Sequence, residues 1–310
     1  MAILPINDSS IIAPVQYLLA LKKPGVLAVI TRIEGPSYRP LGAMMAISED
    51  QTRTGTLSSG CVENDIALHA AKALETGVVS VLKYGRGSPF VDIQLPCGGG
   101  LEITLIPAPN RDVLADLLAA YQGRRSVSLI IDLDSGALRL GDAQSTGGSR
   151  RQFAIRFDPE IFFYVFGKGP EAATFAGLVE AAGFPNVLCS PDEETLAAAE
   201  DRGQETRHLK SATFPNDLNP DARSAVVLFF HDHEWEPPIL AGVCDSDAFY
   251  IGAQGSQRAA EARRLELESM GVSAPNVARI NGPIGLIPSA RDARKLAVSV
   301  LAEVMECADR

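Results

Sequence analysis

The stretch from Ile161 to Ala172 constrains the fold of this chain more than any other part of the sequence. An uninterrupted apolar run, Ile161–Phe166, leads directly into Gly167-Lys-Gly169-Pro-Glu-Ala172, which opens a helical pattern. A buried strand, a glycine turn and a helix in this order match the G-x-G-x-x-A form of the dinucleotide-binding fingerprint. The sequence therefore predicts the first βα unit of a Rossmann-type domain.

Strand and helix patterns alternate from there to the end of the chain. This alternation is typical of a parallel sheet with helices on both faces, so we expect an α/β fold with a Rossmann-like C-terminal domain over residues 153–310. The terminal helix has the clearest pattern, because its apolar residues recur at i, i+3, i+4 and i+7: Ala293, Leu296, Ala297, Val300, Leu301 and Val304. The other predicted elements are strands at Ile161–Phe166, Asn186–Ser190, Ala225–Phe230 and Ala248–Gly252, and helices at Ala172–Ala182, Glu193–Asp201 and Glu261–Met270.

The first half of the chain places short strands between turns, which predicts a smaller N-terminal α+β domain over residues 1–152. Length favours two domains, since 310 residues are long for one compact core. The polar stretch Asp142–Arg151 lacks an apolar period and predicts a linker or exposed loop at the end of this domain. The predicted elements are helices at Ser10–Lys22, Val62–Glu75 and Arg111–Tyr121, strands at Val26–Ile33, Ala43–Ser48, Val78–Tyr84, Val91–Leu95 and Leu101–Ile106, and a hairpin over Ser126–Leu140.

Composition and charge exclude several classes of partner. The formal net charge of −10 repels a phosphate backbone, so nucleic acid is not expected. The longest apolar runs, such as Ala225–Phe230, are too short to span a membrane, and Met1–Ile12 lacks the pattern of a signal peptide. Five widely spaced cysteines fit a reducing compartment. We therefore expect a cytoplasmic protein without a membrane partner.

The glycines of the first βα turn predict a phosphate-bearing ligand. Gly167 and Gly169 would let the backbone approach a phosphate, whose charge the free N–H groups of a helix start attract. The alternative is a tight turn without a ligand. A dinucleotide such as NAD also needs an acidic residue at the end of the second strand, where this sequence has Ser190. Ordinary NAD binding is therefore not favoured.

Two further loops follow predicted strands at the edge where open α/β sheets place ligands. His231-Asp232-His233 comes directly after Ala225–Phe230. We interpret it as a ligand-facing loop, with a solvated loop and a metal site on the two histidines as the alternatives. The second loop, Gly252-Ala-Gln-Gly255-Ser256-Gln-Arg258, repeats the order of strand, glycine turn, capping serine and helix, which favours another phosphate contact. Its Arg258 is either a phosphate clamp or a solvated surface residue.

A cysteine in the first domain stands at the start of a predicted helix. Cys61 follows Gly60 and comes two residues before Glu63. The helix dipole would favour its thiolate there, which predicts a reactive cysteine. A small buried cysteine is the alternative.

A second cysteine, Cys97, precedes Gly98 and Gly99. Glycines at these positions would let a ligand or another backbone segment come close. Neither cysteine belongs to a C-x-x-C pair, so the spacing does not favour zinc or a redox motif. Arg39 lies between two prolines and is either a substrate contact or a surface residue.

Taken together, these segments resemble the XdhC/CoxI family, the accessory factors of molybdenum-containing hydroxylases such as xanthine dehydrogenase. The resemblance covers both domains and rests on the order and context of the motifs as well as on each motif. In the first domain the motifs are Gly35-Pro-Ser-Tyr-Arg-Pro-Leu-Gly42, Gly55-Thr-Leu-Ser-Ser-Gly60-Cys61-Val-Glu63 and Pro96-Cys97-Gly98-Gly99. In the second they are Phe166-Gly-Lys-Gly169, His231-Asp232-His233, Tyr250-Ile-Gly252-Ala-Gln-Gly255-Ser256-Gln-Arg258 and Gly282-Pro-Ile-Gly285-Leu.

The resemblance implies a chaperone that binds molybdenum cofactor (molybdopterin) as cargo. Such a protein assists sulfuration of the cargo with a cysteine desulfurase and inserts it into a xanthine dehydrogenase-type molybdenum hydroxylase. By the resemblance, Cys61, Glu63 and Cys97 become candidates for the cofactor or sulfur-transfer site. The glycine loops and His231–His233 become candidates for the pterin phosphate or a bound nucleotide. An NAD(P)-dependent oxidoreductase using the loop Gly167–Ala172 is the alternative, and a homodimer is left open.

Overall fold

The computed structural model describes residues 10–58, 60, 62–86, 88, 98–149, 151–231 and 234–308. Its contacts divide the chain into two compact units, Met1–Pro159 and Glu160–Arg310. The domain boundary that we predicted after residue 152 falls inside a strand of the first unit, Gln152–Phe157. Buried residues alternate along this strand, which is the pattern of a strand with one face on a core.

The described part of the first unit combines two antiparallel sheets with helices. The strand predicted at Val91–Leu95 lies outside the described residues. The helices are α1 (Ala13–Ala20), α2 (Glu63–Thr76) and α3 (Arg111–Gln122). The strands are β1 (Val26–Glu34), β2 (Met44–Ile47), β3 (Arg53–Gly55), β4 (Ser80–Gly85), β5 (Gly100–Pro107), β6 (Val127–Asp132), β7 (Leu138–Gly141), β8 (Gly147–Gly148) and β9 (Gln152–Phe157). The larger sheet has the order β3-β2-β1-β5-β4 and the smaller one β7-β6-β9-β8.

Strand β1 is the centre of the larger sheet, and both of its faces are buried. Val26, Ala28 and Ile30 contribute to a core that includes α2. Leu27 and Val29 contribute to a second core with α1, α3 and the smaller sheet. Side chains alternate between the two faces of a strand, so a continuous apolar run is what a strand buried on both sides requires.

The polar stretch 142–151 is not a linker between the two units. It contains β8, which pairs antiparallel with β9. The Arg156 backbone N–H also donates a hydrogen bond to the hydroxyl of Thr146 at 3.0 Å. The stretch therefore belongs to the smaller sheet. Its short strand consists of Gly147 and Gly148, which carry no side chains that could show an apolar period.

The second unit is an α/β domain with a parallel sheet. The sequence did not predict β12, α6, α8 or β15 of the following elements, none of which exceeds eight residues. The strands are β10 (Phe162–Gly167), β11 (Asn186–Ser190), β12 (Thr206–His208), β13 (Ser224–Phe229), β14 (Tyr250–Ala253) and β15 (Ile280–Asn281). The helices are α4 (Pro170–Ala181), α5 (Glu193–Glu200), α6 (Glu236–Val243), α7 (Gln257–Ser269), α8 (Ala274–Val277) and α9 (Ala293–Ala308).

The parallel sheet carries helices on both faces, which confirms the predicted fold class. Phe163 and Val227 face a core that includes α4 and α9. Val226 and Leu228 face a second core that includes α6 and α7. The sheet therefore separates two apolar layers, as expected for strands buried on both sides. Within the described ranges, no helix combines the length and the apolarity needed to cross a membrane.

The strand order positions the ends of β10 and β13 next to each other. The order is β12-β11-β10-β13-β14-β15, and every neighbouring pair is parallel. The chain thus moves outward from β10 in one direction and then from β13 in the other. Open α/β sheets bind ligands outside the carboxyl ends of the strands, at the point where this direction reverses.

Candidate functional site

Glu63 is the first residue of α2, and its carboxylate is buried inside the loop that precedes the helix. Among the described residues, three donors bond to each carboxylate oxygen. Oε1 accepts from the Thr56 hydroxyl at 2.6 Å and from the backbone N–H groups of Leu57 at 3.0 Å and Ser58 at 2.8 Å. Oε2 accepts from the Ser58 hydroxyl at 2.6 Å and from the backbone N–H groups of Gly60 at 2.9 Å and Val62 at 3.2 Å.

These hydrogen bonds keep Glu63 charged. Burial by itself would raise the pKa of its carboxyl group, but the hydroxyls of Ser58 and Thr56 and the backbone N–H groups outweigh it and lower the pKa to about 2. A carboxylate held this way does not exchange protons near neutral pH and has no oxygen left for a ligand. Glu63, a predicted site residue, therefore fixes the loop that precedes α2.

Cys61 and Cys97 lie outside the described residues. Gly60 and Val62, on either side of Cys61, both direct their N–H groups to the Glu63 carboxylate. We expected the start of α2 to favour a cysteine thiolate. In the described residues, these N–H groups stabilise the carboxylate of Glu63, another anion that suits a helix N-terminus.

The loop 35–42 and the pair Gly98–Gly99 are brought together, although they are far apart in sequence. A Cβ atom at Gly99 would lie 2.0 Å from the Pro36 carbonyl oxygen and 3.0 Å from that of Glu34. Only glycine permits this approach of two backbone segments. Gly98 is exposed beside it, with φ +72°. The structure therefore brings the motif Gly35–Gly42 into contact with the motif that contains Gly98 and Gly99.

Arg39 belongs to the same loop and is half-buried. It is one of the residues that line a cavity, together with Gly42 at the end of the loop and Gly55 at the end of β3. The cavity thus lies between the loop and the strand that leads into the segment around Glu63.

The reversal point of the second unit carries an ionisable pair. Gly167 pairs with Phe229 of β13, and a Cβ atom at Gly167 would lie 2.7 Å from the Phe229 carbonyl oxygen. Glu171, in the first turn of α4, approaches His231 with 3.8 Å between Oε2 and Nε2. His231 is largely exposed. An acidic side chain at this helix start repels a phosphate, which a nucleotide would place there.

The second glycine of the fingerprint is also engaged within the protein. The Gly169 N–H donates to the Thr195 hydroxyl at 2.8 Å. That hydroxyl in turn donates to Asp192, whose carboxylate also caps α5 at the Thr195 N–H. Asp192 is the acidic residue nearest the end of β11, and it is used as a helix cap. Ser190 itself is buried. These residues do not fit a dinucleotide in the way that the fingerprint requires.

The loop between β14 and α7 is more open. Gly252 lies in the sheet, where a Cβ atom would come within 2.5 Å of the Tyr250 ring. Gly255 has φ +149°, and the hydroxyl of Ser256 caps α7 by accepting from the Ala259 N–H at 3.1 Å. Arg258 is exposed, and the first turn of α7 contains no acidic residue. Of the two glycine loops, this one has the charge that suits an anion.

A buried ion pair fixes this loop, and no sequence pattern indicated it. Arg263 Nε donates to Glu236 Oε1 at 2.5 Å, and a terminal nitrogen of Arg263 donates to the Gln254 carbonyl at 2.7 Å. The side chains of Arg263 and Glu236 are 4% and 7% exposed. The guanidinium therefore connects α6, α7 and the turn after β14. The two charges are 27 residues apart in the chain, a separation that corresponds to no helix or strand period.

A metal site is not supported in the part of the chain that the structure describes. Those residues contain no group of three or more His, Cys, Asp or Glu side chains arranged to hold a metal ion. His231 of the predicted two-histidine site is described, whereas Asp232 and His233 lie outside the described residues.

Comparisons with known proteins give one consistent result. Residues 163–304 match the model of the XdhC Rossmann domain, and residues 18–85 match that of the XdhC and CoxI family. The chain is 33% identical over 283 residues to an Escherichia coli protein named molybdenum cofactor insertion chaperone PaoD, covering 91% of this chain and 83% of that protein. It is 24% identical over 334 residues to a Bacillus subtilis protein named as a probable subunit of xanthine dehydrogenase, covering 94% and 96%.

A solved structure has the same fold. The crystal structure of a Bacillus halodurans protein, described as a xanthine dehydrogenase, aligns with a TM-score of 0.76 over 96% of this chain and 95% of that one. Its sequence identity is 21%, so the likeness concerns the fold alone.

Proposed function

The chain belongs to the XdhC and CoxI family, and on that premise we propose that it is a molybdenum cofactor insertion chaperone. Its client would be a molybdenum hydroxylase of the xanthine dehydrogenase type. The observation that carries the proposal is the 33% identity to a chaperone of that name, which extends over 91% of this chain. A match of this length includes both units, so it concerns the whole protein rather than the Rossmann fold alone.

The geometry supports a protein that holds cargo rather than one that turns over a substrate. Glu63, the one carboxylate beside Cys61 in the motif, is saturated by hydrogen bonds and has its pKa lowered to about 2. A general acid or base needs a pKa near the working pH. Glycine-rich loops held by buried polar contacts instead form fixed surfaces that a ligand can approach closely.

Particular residues are proposed for particular parts of the cargo. Cys61 and Cys97 provide thiols for the metal or for sulfur transfer, because thiolates are good ligands for soft metal centres. In the first unit, Arg39, Gly60, Gly98 and Gly99 are proposed as further contacts of the cargo.

In the second unit, the loop with Gly252, Gly255, Ser256 and Arg258 is the better candidate, of the two glycine loops, for the phosphate of a bound nucleotide. It combines a helix start with an exposed arginine and lacks a first-turn acid. Gly167, Gly169 and the segment His231–His233 would contact a less negative part of the cargo, since Glu171 lies 3.8 Å from His231.

The accompanying steps are also part of the proposal. Sulfuration would use a cysteine desulfurase as the sulfur donor, and the loaded protein would then meet its client in the cytoplasm. A homodimer would shelter a labile cargo during this transfer.

The NAD(P)-dependent oxidoreductase is less well supported. The strand order and the glycine fingerprint favour it. However, the Gly169 N–H is engaged by Thr195, and Glu171 brings negative charge to the loop. Titration with NAD(H) and NADP(H) separates the two functions, because the oxidoreductase must bind one of them at millimolar concentration.

The test is purification of the full chain from cells that make the cofactor, followed by assay of bound molybdenum and, after oxidation, of fluorescent pterin. We expect stoichiometric pterin, less of it with Cys61→Ala, and an unchanged amount with Cys307→Ala, a free cysteine in α9. The same protein purified from cells that cannot make the cofactor gives the background of the molybdenum and pterin assays. Absence of pterin, even after incubation with free cofactor, would contradict the proposal.

A further inference from the structure

The loop between β1 and β2 holds Arg39 in a defined backbone conformation. The Ser37 hydroxyl donates to the Arg39 carbonyl at 2.7 Å and accepts from the Arg39 N–H at 3.3 Å. Pro40 follows and restricts the backbone of Arg39 to extended conformations. The loop returns to the sheet where the Gly42 N–H donates to the Ile30 carbonyl at 2.9 Å. The backbone that carries the side chain is therefore preorganised.

Arg39 is one of the residues that line a cavity of about 220 Å³ in the first unit. Met44 and Ile155 are apolar members of the lining, and Thr146 is a polar one whose hydroxyl accepts from the Arg156 N–H at 3.0 Å. A Cβ atom at Gly42 would lie 2.6 Å from the Thr146 methyl carbon, so glycine allows the loop to close against this wall. None of the described residues that line the cavity is acidic.

Arg39 is half-buried, and one nitrogen of its guanidinium group is without a hydrogen-bond partner. Its Nε is buried and has no hydrogen-bond partner. Buried polar groups in folded proteins are almost always paired, and an unpaired charged donor is especially unfavourable. Arg263 in the second unit shows the usual solution, a carboxylate at 2.5 Å. The chain has 38 Asp and Glu residues, so a shortage of acids does not explain the difference.

We propose that the Arg39 cavity binds the phosphate group of a monoester. A guanidinium presents two parallel N–H groups to an oxyanion, and a phosphate supplies the negative charge that the described walls lack. Pockets for whole small-molecule ligands occupy roughly 300–1,000 Å³, so a cavity of about 220 Å³ suits one group of a larger ligand. The inference rests on the proposed function to this extent: molybdopterin ends in such a phosphate.

Inorganic phosphate is the probe, and the full chain without cargo is the sample. Isothermal titration and the shift in Tm with added phosphate are compared for the wild type, Arg39→Met, Arg39→Lys and Arg32→Met. Arg32 is the control, since its side chain on β1 is 61% exposed and paired with Glu34. We expect Arg39→Met to raise the phosphate Kd by about tenfold or more, as loss of a charge-assisted bond does. Arg39→Lys should give an intermediate value and Arg32→Met no change.

Acetate is titrated into the same variants as a second ligand, because a carboxylate is the other oxyanion that a guanidinium binds. It should bind more weakly than phosphate and with the same dependence on Arg39. In phosphate-free buffer the Tm of Arg39→Met should equal or exceed that of the wild type, because the substitution removes an unpaired buried donor.

Phosphate binding that is equal in the wild type and in both Arg39 variants would overturn the proposal, as would acetate binding as tight as phosphate. Both measurements use protein without cargo. The phosphate site can therefore fail while pterin still copurifies, and pterin can be absent while phosphate still binds in an Arg39-dependent way.

Discussion

Glu63 in the first unit and Glu236 in the second are buried glutamates at the same position, the first residue of a helix. Their environments differ. Glu63 accepts hydrogen bonds from the N–H and hydroxyl groups of its own preceding loop. Glu236 is paired with the guanidinium of Arg263, 27 residues away.

The difference shows two ways to fix a loop with one carboxylate. Around Glu63, dipoles within a few residues converge on the anion, so the loop is ordered by local contacts. Around Glu236, a full positive charge joins two helices, and it also holds the turn after β14 through the Gln254 carbonyl. The first arrangement can be lost one hydrogen bond at a time. The second includes a buried ion pair, and removing its cation breaks the pair and the contact with the Gln254 carbonyl in one step.

The largest expected effect comes from removing that cation. Arg263→Met keeps much of the side-chain volume but breaks the buried ion pair with Glu236, which should lower the free energy of unfolding by about 3–5 kcal/mol. Chemical denaturation of the full chain measures it. Arg264→Met is the matched control, because this neighbour is 44% exposed and its ion pairs with Glu261 and Glu268 are on the surface. The control should lose less than about 1 kcal/mol. Equal losses in the two variants would contradict the assigned role of the buried pair.

Glu63→Gln should have the next largest effect. The amide keeps the shape of the carboxylate but replaces one oxygen by an NH₂ group, which would then face N–H and O–H donors. We expect a loss of about 3 kcal/mol, in the range for hydrogen bonds to a charged group plus donors left unpaired. Glu75→Gln is the control, because Glu75 is exposed near the other end of the same helix. An effect no larger than that of the control would show that the loop does not depend on the charge.

Acid should reduce the contribution of Glu63 in a defined window. Its pKa is about 2 in the folded protein against an ordinary value of 4.5. A lowered pKa stabilises the fold above the unfolded value, and this stabilisation is lost as pH falls toward the folded value. Between about pH 6 and about pH 3, the wild type should lose on the order of 2 kcal/mol more than Glu63→Gln does. Denaturant titrations of both proteins across this range measure the difference. Parallel curves would mean that the carboxylate is not held as a buried anion.

The contrast between the two glutamates also explains how far the sequence could predict the molecule. The Rossmann-like sheet was predictable because its strands are apolar runs such as Ala225–Phe230, and helices with a clear period separate them. Strand β15 was not predictable, since it consists of Ile280 and Asn281 alone. The polar stretch before Gln152 was predicted to be a linker or an exposed loop, and its short strand β8 was not predictable because the pairing depends on backbone hydrogen bonds and not on side chains.

Residues of the candidate site could be predicted only where a sequence motif marks them. Glu63 could be singled out from its position in a glycine-rich turn, but its hydrogen bonds follow from the folded conformation of residues 56–62, which no spacing encodes. A Thr and a Ser shortly before a helix-starting Glu are a weak signal of such a cage. Arg263 and Glu236 give no signal at all, because their contact depends on the packing of two helices. Long-range charge pairs of this kind become visible only in the structure.

The smallest effect expected is at Thr195, whose hydroxyl bonds one neutral group and one partly exposed carboxylate. Thr195→Val keeps the side-chain shape but removes the hydroxyl that accepts from the Gly169 N–H and donates to the Asp192 carboxylate. The neutral bond contributes about 1 kcal/mol and the bond to the carboxylate about 1.5 kcal/mol, so the loss should be below that of Arg263→Met. Thr195→Ser, which retains the hydroxyl, is the control, and its free energy of unfolding should be almost that of the wild type. Chemical denaturation measures both variants.

The same variant tests whether the fingerprint loop is closed to nucleotides by its hydrogen bonds or by its charge. Thr195→Val releases the Gly169 N–H, yet Glu171 remains in the first turn of α4. If the charge is the cause, NAD(H) still fails to bind Thr195→Val, and the additional change Glu171→Gln is needed before any binding is detected by fluorescence titration. Binding by Thr195→Val alone would show that one neutral hydrogen bond closes the loop. In that case a hydrogen bond, and not the charge of Glu171, would exclude nucleotides from this loop.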